Sequence, residues 1–470
     1  MMVPFVVDAR ELSFTRLVGH LSAPPSLPTS QHIRDQFLNL LLHPSLYNSA
    51  SESSSSESTS SLSLPVPESE RWNLLTRADS RARAFAFGEV PSHLFASQGT
   101  RSNTNGSNRA TEGLWGLFLL NSPQNSLIDP PKQEPDPPIL DIWLSQPCRP
   151  EADKDDPATA IVAYIFGTFL PAQVREWGLE TGAFGKETRR VVVFGYALLR
   201  DVMTALSFLN KEQSLGFEIE TDHSGRAVLL SARHVWPQPV APGLDESPNL
   251  FMTKVKDTDL EMVWEGANKY YSQEYIAARL HLSCCLRERL NEKATSSHKD
   301  AEEQACPEDA ELPPSTRPIA WSLAHSALSI AAAFVVPEWR GVQINQQEVV
   351  GSPRRISPNR ASDLIILSIS REIVKAKLFA LWACGLSSTP DTWSPTDEAP
   401  PEILDPFREA ADDGDQAPVP PWHDLLSVCA ESESHNGPAF RMWERIGFSN
   451  LDDVGPLEVS WTKFSIPLPP

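Results

Sequence analysis

Apolar residues first recur at helical spacing over QHIRDQFLNLLL (31–42), which predicts a helix. The Ser/Glu-rich run SASESSSSESTSSLSLPVPESE (49–70) has no such spacing and reads as a flexible loop. Beyond it, LWGLFLLN (114–121), ILDIWLS (139–145) and AIVAYIFGTF (160–169) are dense in β-branched and aromatic residues and predict short strands. RRVVVFGYALLRDVMTALSFLN (189–210) begins as a strand and continues at helical spacing. GFEIETDHSGRAVLLSARHVW (216–236) predicts a β-hairpin turning at His223, Ser224 and Gly225. Residues 258–292 predict helix through YIAARLHLSCCLRERLN.

KATSSHKDAEEQACPEDAELPPSTR (293–317) is charged, ends in prolines and carries no periodicity, which marks a boundary. The predicted organisation is an N-terminal segment (1–48), a linker (49–70), an N-terminal α+β half (71–292), a linker (293–316) and a C-terminal domain (317–470). In that domain PIAWSLAH (318–325) and LSIAAAFVV (328–336) are two strands joined by a short turn. From Asp363 to Ala383 an amphipathic helix sets Ile365, Ile369, Ile373, Ala376 and Ala380 opposite Ser368, Arg371, Glu372 and Lys375. Residues 385–424 are rich in acid and proline and read as a solvated excursion. LLSVCAE (425–431) is a buried-type strand. Asn436 can cap a helix with Pro438 in its first turn and Gly447 at its end, and LEVSWTKF (457–464) is a last strand. Strand–strand–helix–strand–helix–strand is α+β.

Charge narrows the partners. Forty basic against 61 acidic residues give a formal charge of −21, which argues against nucleic acid or an anionic membrane as a general partner. The six cysteines include no CxxC pair, so no zinc site or disulfide framework is read, and the usage is that of a reduced compartment. The start of the chain lacks the charged and apolar regions of a signal peptide, and the longest apolar run (327–336) is short for a bilayer. A cytoplasmic protein is expected, with no metal and with its oligomeric state open.

Two segments carry a resemblance. AWSLAHSALSIAAAFVVPEWRG (320–341) looks like the third and fourth strands of the GNAT N-acyltransferase superfamily running into its pyrophosphate loop, as written in glycine N-acyltransferase-like members. NGPAFRMWERIGF (436–448) matches the element that follows that family's fifth strand. The resemblance covers about 150 residues. It implies a GNAT-like sheet flanked by helices, a second degenerate half of similar build before it, and acetyl-CoA or another acyl-CoA as cofactor. By position Ala333, Phe334 and Val335 would pair with the pantetheine arm. Arg340, Gly341 and Ala361 would meet the pyrophosphate, and Asn436 and Phe440 would flank the cofactor. Clustered backbone N–H groups at a helix start, with a cation, are what a pyrophosphate needs.

The chain also departs from that pattern. The family loop runs Arg/Gln-x-x-Gly-x-Gly/Ala straight into a helix, whereas Val342 to Asn345 follow Gly341 here, and Pro353 and Pro358 forbid the expected helix. Residues 342–359 therefore read as an insertion, with the helix resuming near Ala361. For a proton acceptor the candidates are Glu431 and Glu433 at the end of the fifth strand and His325 in a turn. Where many members have a tyrosine acid this chain has Trp443, whose default role is packing. The expected activity is transfer of an acyl group from CoA to a small-molecule or protein amine. The alternative is a catalytically silent GNAT-like binding module.

Overall fold

The strands expected at 114–121 and 139–145 form, and they belong to one mixed sheet of twelve strands in the computed structural model. The structure describes residues 5–22, 34, 37–39, 41–42, 71–72, 83–96, 113–121, 138–146, 148, 156–232, 235, 249–267, 271–290, 316–325, 328–344, 360–384, 426–452, 455–456 and 458–470. The expected linkers, and most of both insertions, lie outside these.

The first wing holds β1 (Val6–Asp8), α1 (Phe14–Ser22), β2 (Arg83–Gly88), β3 (Trp115–Asn121), β4 (Ile139–Leu144), a helix α2 running through a π-helical segment (Pro157–Tyr164, Ile165–Phe169, Leu170–Thr181), β5 (Arg190–Leu199), α3 (Arg200–Gln213) and β6 (Glu218–Ser231). The second holds β7 (Leu250–Thr253), α4 (Leu260–Gly266), α5 (Gln273–Ala277), β8 (Ser283–Arg289), β9 (Thr316–Ala324), β10 (Ile330–Val335), α6 (Ala361–Ala383), β11 (Ser427–Glu433), α7 (Gly437–Ile446), a small β12–β13 ladder (Leu451–Asp452, Gly455–Pro456) and β14 (Glu458–Pro467).

The sheet order is β1-β2-β3-β4-β5-β14-β6-β11-β10-β9-β8-β7. Exchanging β1 with β7, β2 with β8, and so on to β6 with β14, returns the same order reversed. Two pairs are parallel, β4–β5 and β10–β11, and every other pair is antiparallel. The chain thus folds as two α+β repeats sharing one sheet. Each repeat gives its last strand to the other: β14 lies between β5 and β6, and β6 between β14 and β11. By this topology β7, α4, α5 and β8 continue the C-terminal wing, so the second repeat starts at Leu250, ahead of residues 293–316.

Local chemistry explains the elements. The Asp156 side chain caps α2 by accepting from the Thr159 backbone N–H at 3.0 Å, and Pro157 occupies the first turn. That start makes residues 160–169 helical rather than the expected strand. Apolar residues around Ile161, Val162, Phe166 and Leu170 bury against Leu140, Ile142 and Phe464. By length and composition the helix at Pro157–Thr181 could cross a bilayer, but half of its most apolar stretch is buried in this core. The helix expected over 258–292 breaks into α4, α5 and a strand: Ser283–Arg289 pairs on both sides, with β7 and β9.

The expected hairpin at 216–236 is absent; β6 runs unbroken for 14 residues because both its edges find partners. Gly225 serves close packing instead of a turn. A Cβ there would lie 2.0 Å from Cη2 of Trp461 on β14.

α6 begins at Ala361, as expected, but is buried round most of its circumference. Beside the predicted apolar side, Leu364, Ile366, Leu367, Val374, Leu378 and even Ser368 and Ser370 are buried. The Lys377 ammonium is buried as well and donates to the Ser427 carbonyl at 2.5 Å. Asn436 caps α7 by accepting from Ala439 N–H at 3.2 Å, and left-handed Gly447 (φ 99°) ends it.

Gly225→Ala should destabilise the protein by about 1–3 kcal/mol through overpacking. In urea unfolding, trimming the facing indole with Trp461→Leu in the same chain should make the alanine markedly better tolerated than it is opposite tryptophan.

Candidate active site at the splayed strands of the second repeat

Parallel β10 and β11 lie side by side but share a single register position, Ile330 opposite Ala430. Past it the two strands part. On its other edge β10 pairs with β9 through a register shift between Ala331 and Phe334, and Ala332 sits at φ 46°. A non-glycine residue at positive φ stores strain. The bulge takes Ala332 and Ala333 out of the ladder with β9, which resumes with Phe334 opposite Trp321 and Val335 opposite Ala320. Ala333, Phe334 and Val335 pair with no residue of β11, so their edge on that side is unpaired within the described sheet.

The loop after β10 departs from a simple phosphate cradle. Arg340 folds back on its own strand: Nε donates to the Val335 carbonyl at 2.9 Å, and the guanidinium lies 5.2 Å from the centre of the Phe334 ring. Phe334 in turn stacks on Trp321, centroids 4.7 Å apart. Gly341 has φ 79° and open space around it, so a left-handed turn follows Arg340. Gln343 then pairs with Arg360 in an isolated antiparallel bridge. The chain leaves at 343 and returns at 360, and Ala361 starts α6 at once. The first turn of α6 is neutralised by an ion pair, buried Asp363 with Arg445 at 2.5 Å. Of the stretch 342–359 expected as an insertion, residues 345–359 lie outside the described residues.

Around α7, Asn436 spends its side-chain oxygen on the helix cap, and Phe440 is half-buried beneath the Arg226 guanidinium at 5.5 Å. Trp443 is buried, donates from its indole N–H to Ser432 Oγ at 3.2 Å and packs on Phe448. The carboxylate candidates divide. Glu433 is exposed and faces His435 at 3.1 Å, whereas Glu431, the residue just past the Ile330–Ala430 pair, is half-buried.

His325 follows β9 and is clamped by two tyrosines of the α5 region. Tyr275 Oη bonds its Nδ1, and Tyr271 Oη lies 3.4 Å from its Nε2. The two phenol rings stack 4.7 Å apart, and the buried Arg279 guanidinium lies 3.3 Å from the Tyr275 ring centre. A neutral imidazole has one N–H and one bare nitrogen, so one tyrosine donates and the other accepts. Burial, then the positive charge of Arg279, pushes His325 down to about 4, with Glu431 opposing. Such a ring is neutral at physiological pH and a weak base, which favours Glu431 over His325 as proton acceptor.

Tyr271, Tyr275 and Arg279 escape a reading by motif. The signal available was density: three of the chain's six tyrosines lie at 270, 271 and 275, just before this arginine. Among the described residues no group of three or more His, Cys, Asp or Glu side chains converges as for a metal.

No protein-family model matches the chain, and no curated protein matches it. Among solved structures, a Drosophila protein aligns over 98% of both chains at 11% identity and a TM-score of 0.40. The tandem GNAT protein of the clavulanic acid biosynthesis pathway, solved without acetyl-CoA, aligns over 100% of this chain and 98% of its own at 9% identity and 0.34. A protein described as a GNAT-family acetyltransferase from Novosphingobium aromaticivorans aligns over 62% and 79% at 11% identity and 0.23. Likenesses this distant do not carry function.

The depressed His325 has a stability consequence. Its folded pKa of about 4 lies below the ordinary 6.5, so its contribution is complete above pH 6.5 and is lost as pH falls towards 4. Urea unfolding should show stability falling by roughly 1–3 kcal/mol over that window. His325→Gln should flatten this segment of the profile; an unchanged slope in the variant would count against the clamp.

Proposed function

We propose that the chain is an acyl-CoA-dependent N-acyltransferase that moves an acetyl or other small acyl group to an amine, working at the second repeat. The observation that supports this most is the β10–β11 pair: parallel, joined at one position, and bulged at Ala332 where the strands separate. A backbone edge freed in this way can take an extended ligand as an added strand. The residues that would hold the cofactor are Ala333, Phe334 and Val335 along that edge, Arg340, Gly341 and Ala361 at the loop and the start of α6, and Asn436 and Phe440 at α7. Bound there, the cofactor supplies the acyl group as a thioester.

The residues fit the pantetheine arm better than the pyrophosphate. A helix start of 23 residues lies next to the edge, yet Val342 and Gln343 put side chains where backbone N–H groups need to converge. Arg340 must leave the Val335 carbonyl to reach a phosphate. The Gln343–Arg360 bridge supports reading the intervening residues as an insertion, because its two ends already meet. Joined directly, they read Arg340-Gly341-Val342-Gln343-Arg360-Ala361, a six-residue loop running into α6.

The chain's own groups have clear tasks. Glu431 can take up a proton from an incoming ammonium, directly or through water, and His325 with its tyrosines fixes the wall beside it. The acceptor is a small-molecule or protein amine. A second reading, a silent binding module, draws on the turned-back Arg340 and the occupied loop positions.

Calorimetry on the full chain separates the two. Acetyl-CoA should bind, Arg340→Ala should weaken binding by about 1–3 kcal/mol, the worth of a charge-assisted contact, and deletion of residues 344–359 should tighten it. Trp443→Phe should matter much less. No detectable binding to either the full chain or the folded deletion variant would replace the enzyme reading with the silent one.

A further inference from the structure

The tyrosines around His325 and the bulged strand β10 pack against one buried cluster. Tyr271 and Tyr275 lie against the cluster that contains Trp321 and Leu323, and so do Ala332 and Phe334. Leu323 faces this cluster, so His325, two residues on, lies on the same face of the sheet. His325 follows Ala324, the residue opposite Ile330, and Ile330 is where β10 and β11 part. Its backbone is therefore about two strand spacings, roughly 10 Å, from Ala430 across the foot of the splay.

The Arg279 side chain orients the protons here. Tyr275 Oη bonds Nδ1 of His325, Tyr271 Oη lies 3.4 Å from Nε2, and the two phenol rings stack 4.7 Å apart. The fully buried Arg279 guanidinium lies 3.3 Å from the centre of the Tyr275 ring and donates to the Tyr275 carbonyl at 2.8 Å. A cation on the face of a phenol draws electron density from it and makes its hydroxyl the stronger donor. Tyr275 therefore donates to Nδ1, and the neutral imidazole carries its hydrogen on Nε2 and donates to Tyr271. Burial and the Arg279 charge hold the ring neutral for this task. Tyr271 accepts from His325, so its own hydroxyl hydrogen is directed away from the imidazole. The contacts thus run from a buried cation out to a half-buried hydroxyl: Arg279, Tyr275, His325, Tyr271.

We infer that Tyr271 is the acid that protonates the departing CoA sulfur, and that His325, Tyr275 and Arg279 position it and replace its proton. This rests on the acyltransferase reading, whose other groups take protons and give none. In that reading the pyrophosphate lies at Arg340 and Ala361 and the pantetheine arm along Ala333 to Val335, which brings the thioester to the foot of the splay. As the amine nitrogen bonds the acyl carbon, the carbon–sulfur bond breaks and its electron pair goes to sulfur. The Tyr271 O–H bond breaks and an S–H bond forms. The Nε2 proton of His325 passes to the Tyr271 oxygen, and the Tyr275 proton passes to Nδ1. The negative charge ends on the Tyr275 phenolate beside Arg279, until solvent returns a proton, and the surplus amine proton goes to Glu431. An ordinary phenol, at about 10, is a weaker acid than a thiol such as cysteine, at about 8.5, so the transfer needs the Arg279 charge at the far end.

Two readouts on the full chain test this without an acceptor amine. Nitrogen-15 NMR should show a neutral His325 with its hydrogen on Nε2, and Tyr275→Phe should shift the Nδ1 resonance by removing the bond it accepts. Bound CoA, followed by thiolate absorbance at about pH 8, should show roughly tenfold less thiolate in Tyr271→Phe, because a hydrogen bond to the charged form is gone. Tyr275→Phe should lower the thiolate fraction by less; a merely structural role in the wall would not move it. Tyr164→Phe, which removes a phenol from the core of the first wing, should change neither readout. Acetyl-CoA affinity by calorimetry should be the same in all three variants and the parent, which also reports that they are folded. A hydrogen on Nδ1, or an equal thiolate fraction in Tyr271→Phe and the parent, overturns the inference and leaves the acyltransferase reading standing. A parent chain that binds neither CoA nor acetyl-CoA removes that reading and the inference with it.

Discussion

Everything else in this molecule depends on the exchange of last strands between the two repeats. β14 forms long antiparallel ladders with both β5 and β6, and β6 forms another with β11. These central ladders turn two half-sheets into one and leave neither β5 nor β11 as an exposed edge, the usual aggregation liability of an open sheet. The exchange also fixes where the sheet comes apart. Parallel strands cannot be joined by a tight turn, so each repeat carries a crossover helix, α2 or α6, between its fourth and fifth positions. The splays sit at those crossovers.

Symmetry of topology does not bring symmetry of chemistry. β4 runs in unbroken register with β3 from Ile139 to Leu144, whereas β10 is bulged against β9 and strained at Ala332. The start of α2 is closed by its own buried Asp156, whose carboxylate bonds both the backbone N–H and the hydroxyl of Thr159. A negative cap already satisfies the N–H groups that an anion would use, and it repels a phosphate. At α6 the acidic residue of the first turn is neutralised by Arg445, so that helix start carries no net opposing charge. The two splays thus differ in backbone regularity and in the charge at the helix start beside them.

What the sequence showed, and what it hid, follows from how far each signal reaches. The helix starting at Ala361, the Asn436 cap and the parallel β10–β11 neighbourhood were legible because each rests on local periodicity, a cap residue or a motif of a few residues. The long β6 was not, since His223-Ser224-Gly225 spells a turn unless one knows that Trp461 lies across Gly225. Residues 160–169 and 283–289 failed in opposite directions, for tertiary reasons. Apolar residues rich in β-branching became helix where a cap and a core demanded it, and a helical-looking run became strand where two edges awaited it. One internal signal did announce the duplication: Leu215-Gly216-Phe217 and Ile446-Gly447-Phe448. Both glycines take positive φ, Gly447 directly after α7 and Gly216 three residues after α3, and both phenylalanines are buried. The candidate site was half visible for the same reason. Its loop and strand lie in motifs, but Tyr271, Tyr275 and Arg279 gather around His325 only in the folded chain.

The strand exchange also decides what can be separated. A cut near residue 317 isolates the segment that carries the family resemblance. It also removes β6 from between β14 and β11, and takes β8 from the outer edge of β9. β14 would lose both of its ladders at once and expose Phe464 and Ile466, which are fully buried against residues of the first wing. Val459 would lose Ala227 and Leu229. The second repeat therefore owes its central strands to the first, and Glu431, one residue from the splay, is held in place by a ladder whose other strand is β6. A site positioned by a borrowed strand cannot be assigned to one repeat, even when every residue of its motif lies there.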